Sequence, residues 1–197
     1  PNPVFLKRSG PVSPASCRVH TMQDGNATIK QNYLIEKDVI LDVWPAPLVL
    51  QKDARLRQET TLSIEESSTA LLTEIMSPGR ASFGESFEFT SWSSKLRIYR
   101  SGMLVAYENF QVDPNQGDAA DWQLRFPQGP YASIYFLTEE SVTSAIEPLN
   151  ELSSDTAAIG VSPLRKGGIG IKILAQDGLA LRKTILTVRE ILIERSM

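Results

Sequence analysis

Cysteine and histidine are nearly absent from this sequence of 197 residues, each occurring once, as Cys17 and His20. A single cysteine excludes an internal disulfide, which fits a chain that folds in a reducing compartment. A single histidine restricts the common catalytic arrangements, because a Ser-His-Asp or Cys-His site would have to use His20. The sequence therefore gives little support to nucleophilic catalysis.

Long apolar runs and a strong net charge are also missing. No segment approaches the roughly 18–20 apolar residues of a membrane-spanning helix, and the first residues show no charged-then-apolar leader pattern. The net charge of −3 and the sequence pI of about 5.3 indicate no basic surface for a phosphate backbone. We therefore expect a cytoplasmic protein that binds neither membrane nor nucleic acid.

The sequence does contain many short β-type segments, separated by turn signals about every 8–12 residues. The clearest pair is 95–99, in which Leu96 and Ile98 share one face, and the apolar segment 103–107, which lie on either side of a short connection containing Gly102 and predict a hairpin. A chain of this length and composition can bury the core of one domain. The pattern therefore predicts a mainly β fold of stacked sheets, in a single domain covering residues 1–197.

Two segments predict helices, and the first covers about 138–147. Thr138 could cap its N-terminus, where Glu139 and Glu140 would favour the positive end of the helix dipole. Pro148 would limit its length, because proline cannot donate the next backbone hydrogen bond.

The second predicted helix covers about 179–194. Four apolar residues recur at helical spacing and form one stripe, namely Leu181, Ile185, Val188 and Leu192. This broad apolar face could dock on the protein's own sheet or on a partner. Arg182 and Arg189 lie off the stripe and are candidates for contacts with a partner.

Cys17 and His20 also form the one local pair of soft metal ligands. They are three residues apart, so on a strand they would point to opposite faces, whereas on a turn they could approach one ion. Thiolate and imidazole suit nickel or zinc, but two ligands do not close a site. Weak metal binding and an ordinary thiol and imidazole both remain open.

A glycine-bracketed segment follows the predicted strand at 70–76. Gly79 and Gly84 flank Arg80 and lead into Glu85 and Phe87. Glycine allows positive φ or a close approach of backbone, and Arg80 could pair with Glu85 in a fixed geometry across the bend. The segment predicts a corner between two strands that is held by an ion pair.

These corner residues resemble the Gly-Arg-x-x-x-Gly-Glu-x-Phe signature of the UreD/UreH family of urease accessory proteins. The resemblance extends over about 17–197, with further segments in the family's order and spacing. Residues 71–75 are similar to a family strand that begins Leu-Leu and carries Glu74. Residues 41–48 are similar to its Leu-Glu-x-x-Pro-x-Pro-Ile stretch, with Asp42 where glutamate is commoner.

The resemblance implies a mainly β, β-helix-like scaffold with two helices and no enzymatic activity. It also implies a chaperone role in nitrogen metabolism, in which the protein joins UreF and UreG and helps insert nickel into apo-urease. Nickel would be bound in transit, and no cofactor would be held tightly. Family members are longer, and their N-terminal strands are absent here, so we expect a fragment or a shortened relative.

A nickel path needs acids that hold the ion loosely, since an ion bound too well does not move on. By match to the family's motifs, the candidates for this path are Asp42, Glu74 and Glu85. The other motif residues, Gly79, Arg80, Gly84 and Phe87, would build the corner.

Two other classes of protein fit parts of the sequence. A β-rich module that binds protein or carbohydrate, without a metal role, explains the composition and the hairpin but leaves the match over 79–87 to chance. A carboxylate-dependent hydrolase requires two acids facing each other across a cleft, which the sequence does not establish.

Overall fold

The computed structural model describes residues 16–194, which form two β-sheets and a layer of helices packed on the larger sheet. The strands of this range are β1 Cys17–Val19, β2 Ala27–Ile35, β3 Ile40–Val43, β4 Leu48–Leu50, β5 Arg55–Ile64, β6 Thr69–Ser77, β7 Ser91–Arg100, β8 Met103–Val112, β9 Tyr131–Leu137, β10 Ala157–Pro163 and β11 Ile169–Ala175. The helices are α1 Ala120–Arg125, α2 Thr143–Asn150 and α3 Gly178–Glu194, with 3-10 turns at Ala81–Phe83 and Pro114–Gln116. The predicted mainly β class is confirmed.

The two sheets are connected by a chain that coils between them. The larger sheet has the order β1-β4-β6-β9-β11-β10, with β3 also paired to β6, and the smaller sheet has the order β2-β5-β7-β8. From β2 to β7 the chain passes back and forth between the sheets, with β3 and β4 together forming one visit to the larger sheet. Each of β5, β6 and β7 lies parallel to the earlier strands with which it pairs. This arrangement is β-helix-like, as the resemblance implied. Antiparallel pairs involving β8 to β11 then extend both sheets.

Burial in the two sheets follows from what covers each face. The strands β5 and β7 alternate buried and less buried residues, because one face of the smaller sheet packs on the larger sheet and the other meets solvent. Most residues of β6 and β9 are buried, on both faces, since the smaller sheet covers one face and α2 and α3 cover the other. The protein is thus built in three layers.

The hairpin predicted around Gly102 is confirmed by β7 and β8. Ser101 and Gly102 form its two-residue turn, both with positive φ, which matches the right-handed twist of the flanking strands. A bulge between Ile98 and Tyr99 shifts the register near this end.

The second predicted helix is confirmed as α3, which begins one residue earlier at Gly178. Its stripe is buried against β6, β9 and β11 of the larger sheet, so this face docks on the protein's own sheet. Asp177 caps the helix, with Oδ1 accepting from the backbone N–H groups of Leu179 and Ala180. None of the helices within residues 16–194 is long and apolar enough to cross a membrane.

The first predicted helix, 138–147, is misplaced by several residues. Thr138 Oγ1 accepts from the backbone N–H of Glu140 and forms a local turn instead of a cap, so α2 begins only at Thr143. Pro148 lies inside the last turn of α2 and does not end it. The prediction of two helices is also wrong, because α1 is a third helix of only six residues, too short to show a helical period.

Candidate functional site

A band of polar side chains divides the core between the two sheets. On one side lies an apolar cluster that includes Leu62 and Leu72, and on the other a cluster that includes Leu56 and Met76. The polar band consists of Gln58 and Thr60 of β5, Glu74 of β6, Ser94 of β7, Glu108 of β8, Ser133 and Tyr135 of β9 and Lys172 of β11. Every second side chain of a strand points into the space between the sheets. Each of these polar side chains therefore interrupts or borders a row of apolar side chains on the inner face of its strand.

Glu74 lies at the centre of the polar band. Its Oε1 accepts hydrogen bonds from Thr60 Oγ1 at 2.6 Å and from Gln58 Nε2 at 2.9 Å, and Ser133 Oγ donates to Oε2 at 3.4 Å. None of the ion pairs formed within residues 16–194 involves Glu74. Burial raises the pKa of Glu74, while its hydrogen bonds and the more distant Lys172 act in the opposite direction. The carboxylate is therefore held by neutral donors, away from water.

Glu108 is a second carboxylate of the polar band and is paired with Lys172. The Lys172 ammonium donates to Glu108 Oε2 and to the Tyr135 hydroxyl, the latter at 2.7 Å, and lies 4.8 Å from the centroid of the Tyr135 ring. Burial lowers the pKa of Lys172, whereas the neighbouring Glu108 raises it. Burial also raises the pKa of Tyr135, so its phenol is neutral and can accept this hydrogen bond.

Three separate spaces lie one after another along the polar band and share lining residues. A cavity of about 160 Å³ opens beside Cys17 at the β2 side and reaches Gln58 and Glu74. Gln58 and Glu74 also line a central cavity of about 10 Å³, which has room for about one water molecule, together with Glu108. Glu108 in turn borders a groove of about 520 Å³ at the β8 side, which Lys172 also lines. We call this series of spaces the passage.

Glu85 lies outside the polar band, at the corner after β6. Arg80 Nε donates to Glu85 Oε2 at 2.8 Å and Arg80 Nη2 donates to Oε1, so the ion pair is bidentate. The guanidinium also lies 4.9 Å from the ring centroid of Phe83. These hydrogen bonds from Arg80 lower the pKa of Glu85. The ion pair expected from the sequence is thus present, and it occupies both carboxylate oxygens.

The glycines and Phe87 give this corner its shape. A Cβ atom at Gly79 would lie 2.4 Å from the backbone oxygen of Glu85, so only glycine allows the two segments to approach so closely. Gly84 has φ +75°, a left-handed conformation that ends the 3-10 turn. Phe87 is buried and its ring meets Trp122 edge-to-face at 4.9 Å.

Asp42 lies on the opposite face of the larger sheet from the polar band. Its neighbours Leu41 and Val43 face the smaller sheet, and Asp42 Oδ2 accepts from Arg189 Nη2 of α3. The Arg189 guanidinium lies 4.8 Å from the ring centroid of Trp44. Arg189 is only 8% exposed, and its side chain is used in this internal ion pair. Asp42, Glu74 and Glu85 therefore occupy three separate places.

The remaining predicted residues lie at the surface. Cys17 is exposed on β1 and borders the first cavity of the passage, while His20 Nδ1 lies 3.1 Å from Gln51 Oε1. No three His, Cys, Asp or Glu side chains converge as a metal-holding group in the part of the chain from 16 to 194. Arg182 is exposed and lines a groove of about 650 Å³ that also contains Asp177.

Sequence reasoning missed Glu108 and Lys172 as members of one site. They lie 64 residues apart on strands of different sheets, so no local pattern connects them. The available signal was the interruption of inward apolar positions, as in β5, where Gln58 and Thr60 separate Leu56 from Leu62. Polar residues at such positions indicate a polar interior, but not its partners.

The coiled sheets and the polar band define a β scaffold with a polar interior. The family model described as UreD urease accessory protein matches residues 11–197, and the chain belongs to this family. It is 28% identical over 187 residues to the urease accessory protein UreD of Opitutus terrae, covering 92% of this chain and 68% of that protein. It is also 30% identical over 158 residues to the urease accessory protein UreH of Helicobacter hepaticus, covering 80% of this chain and 61% of that protein. The chain thus spans about two thirds of the length of these relatives.

Proposed function

We propose that this protein is a non-enzymatic scaffold that helps deliver nickel to apo-urease, in a cytoplasmic complex with UreF and UreG. Membership of the urease accessory family supports the urease role. The nickel cargo and the two accessory partners come from the family resemblance of the sequence. The chain spans only about two thirds of the length of these relatives. The proposed role in nickel delivery therefore applies to the protein as it is produced in its host.

The observation that carries this proposal is the polar band through an otherwise apolar core. Burying Glu74 costs free energy, because the ionised carboxylate loses water and gains only neutral donors. An apolar residue would fill the same place at lower cost if the core served stability alone. The cost is explained if the Glu74 carboxylate binds a divalent cation that moves through the protein.

The chemistry of the polar band suits an ion in transit. The groups in the polar band that could bind a metal ion are carboxylate, hydroxyl and amide oxygens. These ligands bind nickel less tightly than sets of imidazole and thiolate ligands do. Weak binding in successive places allows an ion to enter and to leave. Of the three acids predicted for the path, we assign the role to Glu74, because the carboxylates of Asp42 and Glu85 are already paired with arginines.

The test is Glu74→Gln, which keeps the shape and the hydrogen-bond acceptor but removes the charge. In a urease-positive host that carries this change in the native operon, we expect nickel per urease and urease activity to fall severalfold. UreF and UreG should still be retained in a pull-down, because the substitution is internal. The matched control is Glu59→Gln on the outward face of β5, which should match the wild type.

Wild-type nickel content in urease matured with the Glu74→Gln protein would overturn the proposal. Loss of UreF or UreG from the pull-down would instead show that Glu74 serves the fold.

A further inference from the structure

Lys172 is the one cation in the polar band, and its position is set by β11. Ile171 and Ile173 on either side face α2 and α3, so Lys172 points the other way, toward the smaller sheet. Its ammonium has two partners, the Glu108 carboxylate and the Tyr135 hydroxyl. Since neighbouring side chains of a strand point to opposite faces, the two fully buried isoleucines fix the face on which Lys172 lies and leave its side chain free to change rotamer.

Glu108 lines both the groove and the central cavity, as do three aromatic residues, Trp92, Phe110 and Tyr131. Since Glu108 is the charged residue of this shared wall, a divalent cation that moves between the groove and Glu74 would pass beside its carboxylate. In this structure the ammonium of Lys172 already neutralises that carboxylate. Two cations cannot share Glu108 without strong repulsion at such short range.

We propose that Lys172 is a gating residue, whose ammonium closes the β8 end of the passage to divalent cations until an entering cation displaces it from Glu108. This inference rests on the proposed function, because it assigns a control element to the same route. The groove of about 520 Å³ that borders Lys172 provides space into which its flexible side chain can turn. Its side chain is already 36% exposed, so the released ammonium can be hydrated.

The first test measures Ni²⁺ alone binding to the purified protein by isothermal titration calorimetry. Lys172→Met keeps the length of the side chain and removes its charge, so we expect Ni²⁺ affinity to rise about tenfold or more. The gain should disappear in Lys172→Met/Glu108→Gln, which removes the carboxylate that the ion would take. Lys183→Met, on the exposed surface of α3, should leave the affinity unchanged. Equal affinities of Lys172→Met and wild type would overturn the proposal.

A second test uses the wild-type protein and does not depend on whether a variant folds. Acetylation by an amine-reactive ester, read by mass spectrometry, reports how accessible each lysine is. Saturating Ni²⁺ should increase the labelling rate of Lys172 severalfold and leave that of Lys183 unchanged. An unchanged rate at Lys172 in the presence of bound Ni²⁺ would show that the ammonium is not displaced.

The experiments distinguish failure of the proposed role of Lys172 from failure of the proposed nickel route through Glu74. If Glu74→Gln lowers the nickel content of urease but neither Lys172 test responds, the route stands and the gate is wrong. If Glu74→Gln has no effect on urease while Lys172→Met still raises Ni²⁺ affinity through Glu108, the delivery role is wrong and a cation site controlled by Lys172 remains.

Discussion

The ion pair between Asp42 and Arg189 gives the sharpest prediction of stability. Arg189 is 8% exposed and its Nη1 has no hydrogen-bond partner among the described residues, so Asp42 is the anion that compensates its charge. Asp42→Ala leaves this guanidinium buried without an anion. Removing one partner of a fully buried pair costs about 3–5 kcal/mol. The Asp42 side chain is 25% exposed, so water reaches the site and we expect about 2–3 kcal/mol instead.

The complementary change is Arg189→Met, which keeps an apolar side chain over Trp44. It leaves Asp42 unpaired, but a carboxylate with some access to water tolerates this better, so the expected cost is about 1–2 kcal/mol. The double variant removes both charges and should be less destabilised than the two single variants summed. The resulting coupling energy should be about 1.5–3 kcal/mol, in the range of residues in direct contact.

Urea unfolding at neutral pH, followed by tryptophan fluorescence, measures these free energies. Trp44, which stacks on Arg189, contributes to this signal together with Trp92 and Trp122. Arg182→Met on the exposed surface of α3 is the control, and its effect should stay within about 0.5 kcal/mol. A coupling energy below about 0.5 kcal/mol would refute the view that the two charges compensate each other.

Two further changes test the corner and the polar band. Gly79→Ala should destabilise the protein by roughly 2 kcal/mol or more in urea unfolding, since its Cβ would meet the backbone of Glu85, whereas Gly178→Ala, in open space at the start of α3, should be neutral or stabilising by up to about 1 kcal/mol. Comparable effects at the two glycines would contradict the close approach. The native pKa of Glu74 lies above its unfolded value, so the native state binds the proton more tightly, and the contribution of Glu74 to stability should fall as pH rises from about 4.5 toward neutrality. In Glu74→Gln this contribution is absent, so its stability relative to wild type should increase over that range, and equal pH slopes would contradict the burial of the charge.

The sequence predicts those parts of the fold that depend on local periodicity. The stripe of α3 repeats over three turns, and this helix was predicted to within one residue. The β7–β8 hairpin was predicted with its turn at Gly102, although both strands extend four or five residues beyond the predicted arms. The segment after Thr138 was misread because its side chain can bond to a nearby N–H in a turn as readily as in a cap. Capping residues alone do not fix where a helix begins.

The candidate site was predictable only in part, for a different reason. Glu74 was singled out from a family motif, but its partners Thr60 and Gln58 come from the other sheet, and Lys172 comes from a strand about 100 residues later. Asp42 and Glu74 were both predicted for the nickel path because both are acids in segments that match the family's motifs. Since side chains alternate along a strand, such a match does not tell which face of the sheet a residue occupies.

The coil of strands between two sheets also has a consequence for how the protein reaches this structure. In the smaller sheet the paired residues of β2 and β5 lie 29 positions apart and those of β5 and β7 lie 36 apart, while those of β6 and β9 in the larger sheet lie 55 to 67 apart. Few sheet contacts outside the β7–β8 hairpin and the β10–β11 pair can form locally, so most of the chain must close long loops before it gains any pairing energy. Folding should therefore be slow for a chain of this size, and unpaired edges such as β2 remain exposed to other chains while it proceeds.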